Sequence, residues 1–257
     1  LKYDAMDRLD SLLGRRGPFD PPRRIWFEGK DQFHGIGQEF FGYFKELGKL
    51  KPGERVLDVG CGAGRMAIPL MAYLGPEGSY DGFDIVPDGT AWCREAITGK
   101  APNFRFAHAD IYNKSYNPGG RVKASEYRFP YPDETFDFVF LTSVFTHLLP
   151  PDLEHYLEEI HRVTKPGGRC LITYFLLTDE SRRLLDAGKG TLTFLPEEGG
   201  YRVVSREEPE AAIAFDQAYI ESLYRKLGFR EVGPARYGSW CGRTEHLSYQ
   251  DILVAAK

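Results

Sequence analysis

Three acids stand at the ends of strand-like segments: Asp58 in Val56-Leu57-Asp58-Val59, Asp84 in Asp81-Gly82-Phe83-Asp84-Ile85 and Asp110 in Ala107-His108-Ala109-Asp110-Ile111. Asp58 is followed by Gly60-Cys61-Gly62-Ala63-Gly64-Arg65. A buried strand feeding a glycine-rich turn that opens a helix lets the backbone lie close to a ligand. In an open parallel sheet that ligand sits outside the carboxyl ends of the strands. The spacing here is G-x-G-x-G, not the G-x-G-x-x-G of dinucleotide binders. A carboxylate beside the turn would repel a pyrophosphate, but it suits a ligand carrying an ammonium group. Asp84, roughly twenty residues past the turn, can accept from both hydroxyls of a ribose. Asp110 can accept from an adenine amino group. S-adenosylmethionine, with its ammonium and sulfonium, meets these demands. Each acid also has a plainer reading, as a turn cap or a strand-end surface group.

Of the six histidines, His147 is best placed for acid–base work. It closes the run Leu141-Thr142-Ser143-Val144-Phe145-Thr146-His147, at the end of an apolar strand. His is the usual base near neutral pH. Its alternative is a structural hydrogen bond at a loop corner. His34, in Gln32-Phe33-His34-Gly35, could face the ligand from the N-terminal segment. His155 and His161 read as helix surface and His108 as a strand edge, while His246 shares a loop with Trp240, Cys241 and Arg243. No metal-ligand spacing occurs.

The elements that must carry these residues alternate. Strands are expected at 56–59, 79–84, 104–107, 136–141 and 169–175, with helices at 65–74, 88–97 and 152–163. The last helix places Leu153, Tyr156, Leu157 and Ile160 on one face. Pro69 argues against a regular first turn in the 65–74 helix. Before them, residues 37–47 read as a helix after a proline-broken, aromatic-rich stretch that includes Trp26, Phe27 and Phe33. After them come a helix at 216–227 capped by Gly228, and strands near 229–236 and 249–255. The alternation implies a mainly parallel sheet with helices on both faces. Connections at 112–133 and 177–213, the second with a short helix and a hairpin-like piece around 197–200, are long enough to suggest function.

The Asp58–Arg65 motif, Asp84, Asp110, the strand Phe136-Asp137-Phe138-Val139 and the turn Lys165-Pro166-Gly167-Gly168 together resemble the class I S-adenosylmethionine-dependent methyltransferase family over residues 50–175. The resemblance implies an α/β, Rossmann-like, doubly wound seven-stranded sheet whose last strand is antiparallel. It implies S-adenosyl-L-methionine as cofactor, held by Asp58, Gly60, Cys61, Gly62, Arg65, Asp84, Ile85, Asp110, Ile111 and Thr142. Residues 1–50 are then expected to form an N-terminal lid and 51–257 the methyltransferase domain, with the two long connections bounding the acceptor pocket. Similar enzymes often carry a His near position 147. Asp137 is read as strand-start structure. Thr142-Ser143-Val144 stands where enzymes that methylate nucleic-acid amino groups carry Asn/Asp-Pro-Pro-aromatic, so a hydroxyl on a small molecule, a sugar or secondary metabolite, is the expected acceptor. The stretch Tyr237–Arg243 offers Trp240 and Arg243 either to stack on a sugar or simply to pack. A nicotinamide oxidoreductase would need the missing glycine spacing. A non-catalytic S-adenosylmethionine sensor on the same fold is the alternative.

Composition agrees. The chain has 257 residues, 42% hydrophobic and 27% charged, and a net charge of −4. It can build a sizeable core and shows no nucleic-acid footprint. Cys61, Cys93, Cys170 and Cys241 form no C-x-x-C pair, so free thiols and a cytoplasmic home are expected. No apolar run approaches the roughly 20 residues that span a bilayer, and no signal peptide is expected. No membrane or nucleic-acid partner is anticipated.

Overall fold

A computed structural model describes residues 2–25 and 30–257; Trp26 and Phe27, counted in the expected lid, lie outside them. Contacts divide the chain into two units, Leu1–Asp110 and Ile111–Lys257.

The first unit contains α1 (Lys2–Leu12), α2 (Lys30–Glu46), β1 (Arg55–Val59), α3 (Ala67–Met71), β2 (Ser79–Asp84), α4 (Pro87–Cys93) and β3 (Phe104–His108). β2 runs parallel to both β1 and β3, with Asp58 opposite Gly82 and Asp84 opposite His108. Val56, Leu57, Val59, Tyr80, Phe83 and Phe104 are buried, as expected of strands covered on both faces. Two helices differ from expectation. The helix placed at 65–74 shrinks to the five residues of α3, because Pro69 is tolerated only in a first turn, where its missing N–H is unneeded. Conversely, α2 begins at Lys30 rather than at Gly37. Gly37 marks a close approach instead: a Cβ there would lie 2.6 Å from the carbonyl oxygen of Arg65.

The second unit contains β4 (Phe136–Leu141), α5 (Pro150–Val163), β5 (Thr164–Tyr174), β6 (Leu176–Leu177), α6 (Asp179–Asp186), β7 (Tyr201–Val203), β8 (Ile213–Asp216), α7 (Gln217–Leu227), β9 (Glu231–Val232) and β10 (Asp251–Ala256). Leu153, Tyr156, Leu157 and Ile160 form the buried face of α5. The Pro166-Gly167-Gly168 turn is absorbed into β5 as an irregularity: Phe136 faces Thr164 while Phe138 faces Arg169. Asp216 caps α7 by accepting from the Tyr219 N–H, and Gly228 ends it in the left-handed region. β4 is parallel to β5, and β10 is antiparallel to it. The strand order is β3-β2-β1-β4-β5-β10-β9, the doubly wound Rossmann-like sheet with its last strand antiparallel.

The 177–213 connection is more than a loop. β6, β8 and β7 form a second sheet in that order. Phe175, Leu177, Ala212, Ala214, Trp240 and Cys241 make its buried cluster. Arg182 ties the piece together, donating to both oxygens of Glu197, to Asp216 Oδ2 and to the Leu177 carbonyl.

Candidate functional site

In the first unit the turn after β1 is pinned to β2. The N–H groups of Gly60 and Cys61 both donate to the Phe83 carbonyl, at 2.9 and 3.1 Å. Asp84 reaches back: Oδ2 accepts from the Gly62 N–H at 2.7 Å and Oδ1 from the Val86 N–H at 2.8 Å. Asp84 thus shapes the turn while each oxygen keeps accepting capacity. Burial raises its pKa, against the hydrogen bonds from Val86 and Gly62.

Asp58 lies under this turn and is 1% exposed. Its Oδ2 accepts from the Tyr80 hydroxyl at 2.5 Å, a partner with no signal in the sequence. Its Oδ1 is buried without a hydrogen-bond partner. Desolvation pushes the Asp58 pKa up to about 7; the Tyr80 hydrogen bond opposes this, nearby Asp84 adds to it and Arg65 opposes it. Above the turn there is room, since a Cβ on Gly62 would meet nothing within 4 Å. Beneath it there is none: a Cβ on Gly64, whose φ is +75°, would lie 2.7 Å from Ile97 and 2.9 Å from the Cys93 sulfur. Ile85 follows Asp84, and its carbonyl lies 3.2 Å from His108 Nε2. Asp110, half-buried, is the last residue of the unit.

The N-terminal segment packs on the same turn. Ile25 and Phe33 form a buried cluster with Ala63, flanked by Ile68 and Trp92. His34, next along α2, is committed to Asp20: its Nε2 lies 2.7 Å from Oδ1 of that nearly buried carboxylate.

In the second unit Ile111 and Thr142 are buried. His147 closes a short turn, Phe145–His147, after β4. Its Nδ1–H donates to the Glu210 carbonyl at 2.8 Å, which fixes the proton there and leaves Nε2 as the basic nitrogen. Burial lowers its pKa, opposed by the backbone of Glu210 and Ala211. The Tyr116 ring meets the imidazole edge-to-face at 5.9 Å. The two inserts converge here: Lys114 Nζ donates to the Glu207 carbonyl, and Ser115 Oγ to Glu208. Tyr116 and Glu210 were invisible as partners of His147 because each comes from a connection without periodic pattern.

Of the two roles left open for Trp240 and Arg243, packing is the one found. Trp240 is fully buried, its Nε1–H donates to Asp251 and its ring packs on Phe175 and Phe194. Arg243 is buried too, bonded to Glu180 and lying over Tyr237. Neither forms a surface on which a sugar could stack. His155 and His246 bond backbone carbonyls. Asp137 pairs with Lys165 at 2.7 Å, as a strand-start structural acid would.

Residues 57–172 match the family model described as "Methyltransferase domain". Over these residues the chain carries a methyltransferase domain, similar to those of class I S-adenosylmethionine-dependent methyltransferases. Among curated methyltransferases, it is 31% identical over 130 residues to the demethylmenaquinone methyltransferase of Listeria monocytogenes, covering 50% of this chain and 48% of that one. It is 28% identical to the 27-O-demethylrifamycin SV methyltransferase of Amycolatopsis mediterranei, covering 71% and 65%. The chain therefore spans about half to two thirds of these relatives. The crystal structure of a SAM-dependent methyltransferase from Aquifex aeolicus shares the fold, with TM-score 0.52 and 21% identity over 89% of this chain and 93% of that one. The family's cofactor is S-adenosylmethionine, and this chain's residues fit it: an orphaned buried carboxylate oxygen, a second carboxylate close by, and open space above a glycine turn suit a cationic ligand. Among the described residues no group of His, Cys, Asp and Glu could hold a metal, and no helix is long and apolar enough to cross a membrane.

Proposed function

We propose that this methyltransferase-family chain transfers the methyl group of S-adenosylmethionine to a hydroxyl of a small molecule, a sugar or secondary metabolite, with His147 as general base. The observation that carries the cofactor half is Asp58 Oδ1, buried and unpaired beneath a glycine turn. An ammonium there would satisfy it, while Asp84 and Asp110 would take the ribose and adenine; Cys61, Arg65, Ile85, Ile111 and Thr142 are the further cofactor candidates. When bound, the cofactor supplies an electrophilic methyl already activated by its sulfonium. What remains for the chain is to orient the acceptor, exclude water and remove a proton.

His147 suits that last task. A neutral imidazole with its Nδ1–H tied to a carbonyl can take a hydroxyl proton on Nε2. His34 suits it less, because Asp20 already holds its Nε2. The oxygen acceptor also finds support in the rifamycin relative, named for an O-demethyl substrate. Phe33 packed on Ala63, and the turn Pro209–Ala211 over His147, support reading the N-terminal segment and the inserts as covers. The test has two parts. Calorimetric titration with S-adenosylmethionine, S-adenosylhomocysteine and NAD should show binding of the first two alone; binding of NAD alone refutes the cofactor half. Incubation with a panel of hydroxylated small molecules should then release S-adenosylhomocysteine. Binding without turnover on any of them would favour a sensor.

A further inference from the structure

Gln250 stands one residue before β10, and its side chain is only 9% exposed. Its Oε1 accepts from the Ser143 hydroxyl at 3.1 Å. Its Nε2 has no hydrogen-bond partner among the described residues. The rest of the residue is covered, so the NH₂ is the part of Gln250 left open to solvent or to a ligand. With Oε1 taking the Ser143 proton, the NH₂ points the other way.

Ser143 is itself unusual. Its φ is +59°, in the left-handed region that non-glycine residues seldom adopt. It is held there by its own N–H, which donates at 2.8 Å to the hydroxyl of Thr173, fully buried in β5. Backbone strain of this kind persists only where neighbours fix it, and it clusters at ligand sites. The location agrees. Ser143 follows the carboxyl end of β4, and Gln250 precedes a strand antiparallel to β5, so both lie at the edge where parallel sheets bind ligands. The neighbouring Asp251 makes the contrast plain. Its carboxylate is saturated by the N–H groups of Gly238, Leu176 and Trp240. One residue fixes the frame while the next is left with donors to spare.

We propose that Gln250, oriented by Ser143, recognises the acceptor by donating from Nε2 to one of its oxygens. An amide N–H can bond a hydroxyl, ether or carbonyl oxygen. A site built to bond an oxygen also rejects analogues lacking it, because its donors are then left unpaired. This rests on the methyl-transfer reading only in calling the ligand an acceptor.

The probe is methyl α-D-glucopyranoside, titrated into protein loaded with S-adenosylhomocysteine. The side-chain amide resonances of Gln250, assigned by their loss in Gln250→Leu, are followed by nitrogen-15 NMR. Gln250→Glu keeps the size and the oxygen facing Ser143 but removes both donors, and it guards against a folding defect in the leucine variant. We expect a saturable shift of the amide and about tenfold weaker glycoside binding in both variants, with unchanged affinity for S-adenosylhomocysteine. Unmoved amide resonances, or variants that bind the glycoside as well as the parent, overturn the proposal. A loss of S-adenosylhomocysteine binding in the parent protein would instead count against the cofactor reading, and the glycoside titration would still decide the role of Gln250.

Discussion

His147 and Asp58 are both pulled by burial toward their uncharged forms, with opposite consequences. For His147, desolvation lowers the pKa, so the imidazole is neutral and basic near pH 7. His147→Ala should lower the catalytic rate about a hundredfold to ten-thousandfold with little change in cofactor affinity. The rate should fall on the acid side as the imidazole protonates, a limb absent from the variant. Turnover measured from about pH 5 to 9 checks both, and a variant with near-parental activity removes His147 from the mechanism. For Asp58, desolvation raises the pKa to about 7. The folded state then binds more protons than the unfolded chain between about pH 4 and 7, so this residue's contribution to stability falls as pH rises through that window. A cationic ligand reverses the preference by favouring the carboxylate. Binding of S-adenosylhomocysteine should therefore strengthen as pH rises toward 7 and should release a proton below it. Calorimetry in two buffers of different protonation enthalpy measures the release. Asp58→Asn should abolish it and weaken binding by about 1.5–3 kcal/mol.

At the level of elements, the glycine turn is held by space as much as by hydrogen bonds. Gly64→Ala would force a side chain into a left-handed conformation and against Ile97 and Cys93. A destabilisation of about 2–4 kcal/mol follows from the strain and overpacking together, and denaturant unfolding would measure it. This turn was legible in the sequence because a strand, three glycines and a helix start are contiguous. The strand at 136–141 is legible as an apolar run broken only by Asp137, and the strand at 79–84 by the alternation of elements around it. The second sheet was not. β6 has two residues and β7 three, and β6 pairs with β8 across a long separation, so no local period announces them. In α2, Gly35 and Gly37 look like helix breakers in the sequence, while in the fold Gly37 serves the approach to Arg65. Tyr80 and Gln250 escaped notice for a similar reason: in isolation each is an ordinary strand or loop residue, and only the fold gives it Asp58 or Ser143.

For the molecule as a whole, ligand binding to the native state must raise stability by mass action. S-adenosylhomocysteine at a hundred times its dissociation constant should add about 2.7 kcal/mol. For a chain of this size that is roughly 5–10 °C in the midpoint of thermal unfolding, with NAD giving no shift. Scanning calorimetry with each ligand is the measurement, and equal shifts with both would contradict the cofactor reading.

The four cysteines have a use in this connection. Cys61 and Cys93 belong to the first unit, Cys170 and Cys241 to the second, and all are buried. Burial raises the pKa of each, that of Cys170 to about 12. The thiolate is the reactive form, so a maleimide finds no target until the chain around a cysteine opens. Each pair is a clock for its own unit, read by mass spectrometry of the labelled peptides. A ligand seated on the glycine turn slows the first clock, and the second then reports whether the acceptor face tightens with it or keeps its own time.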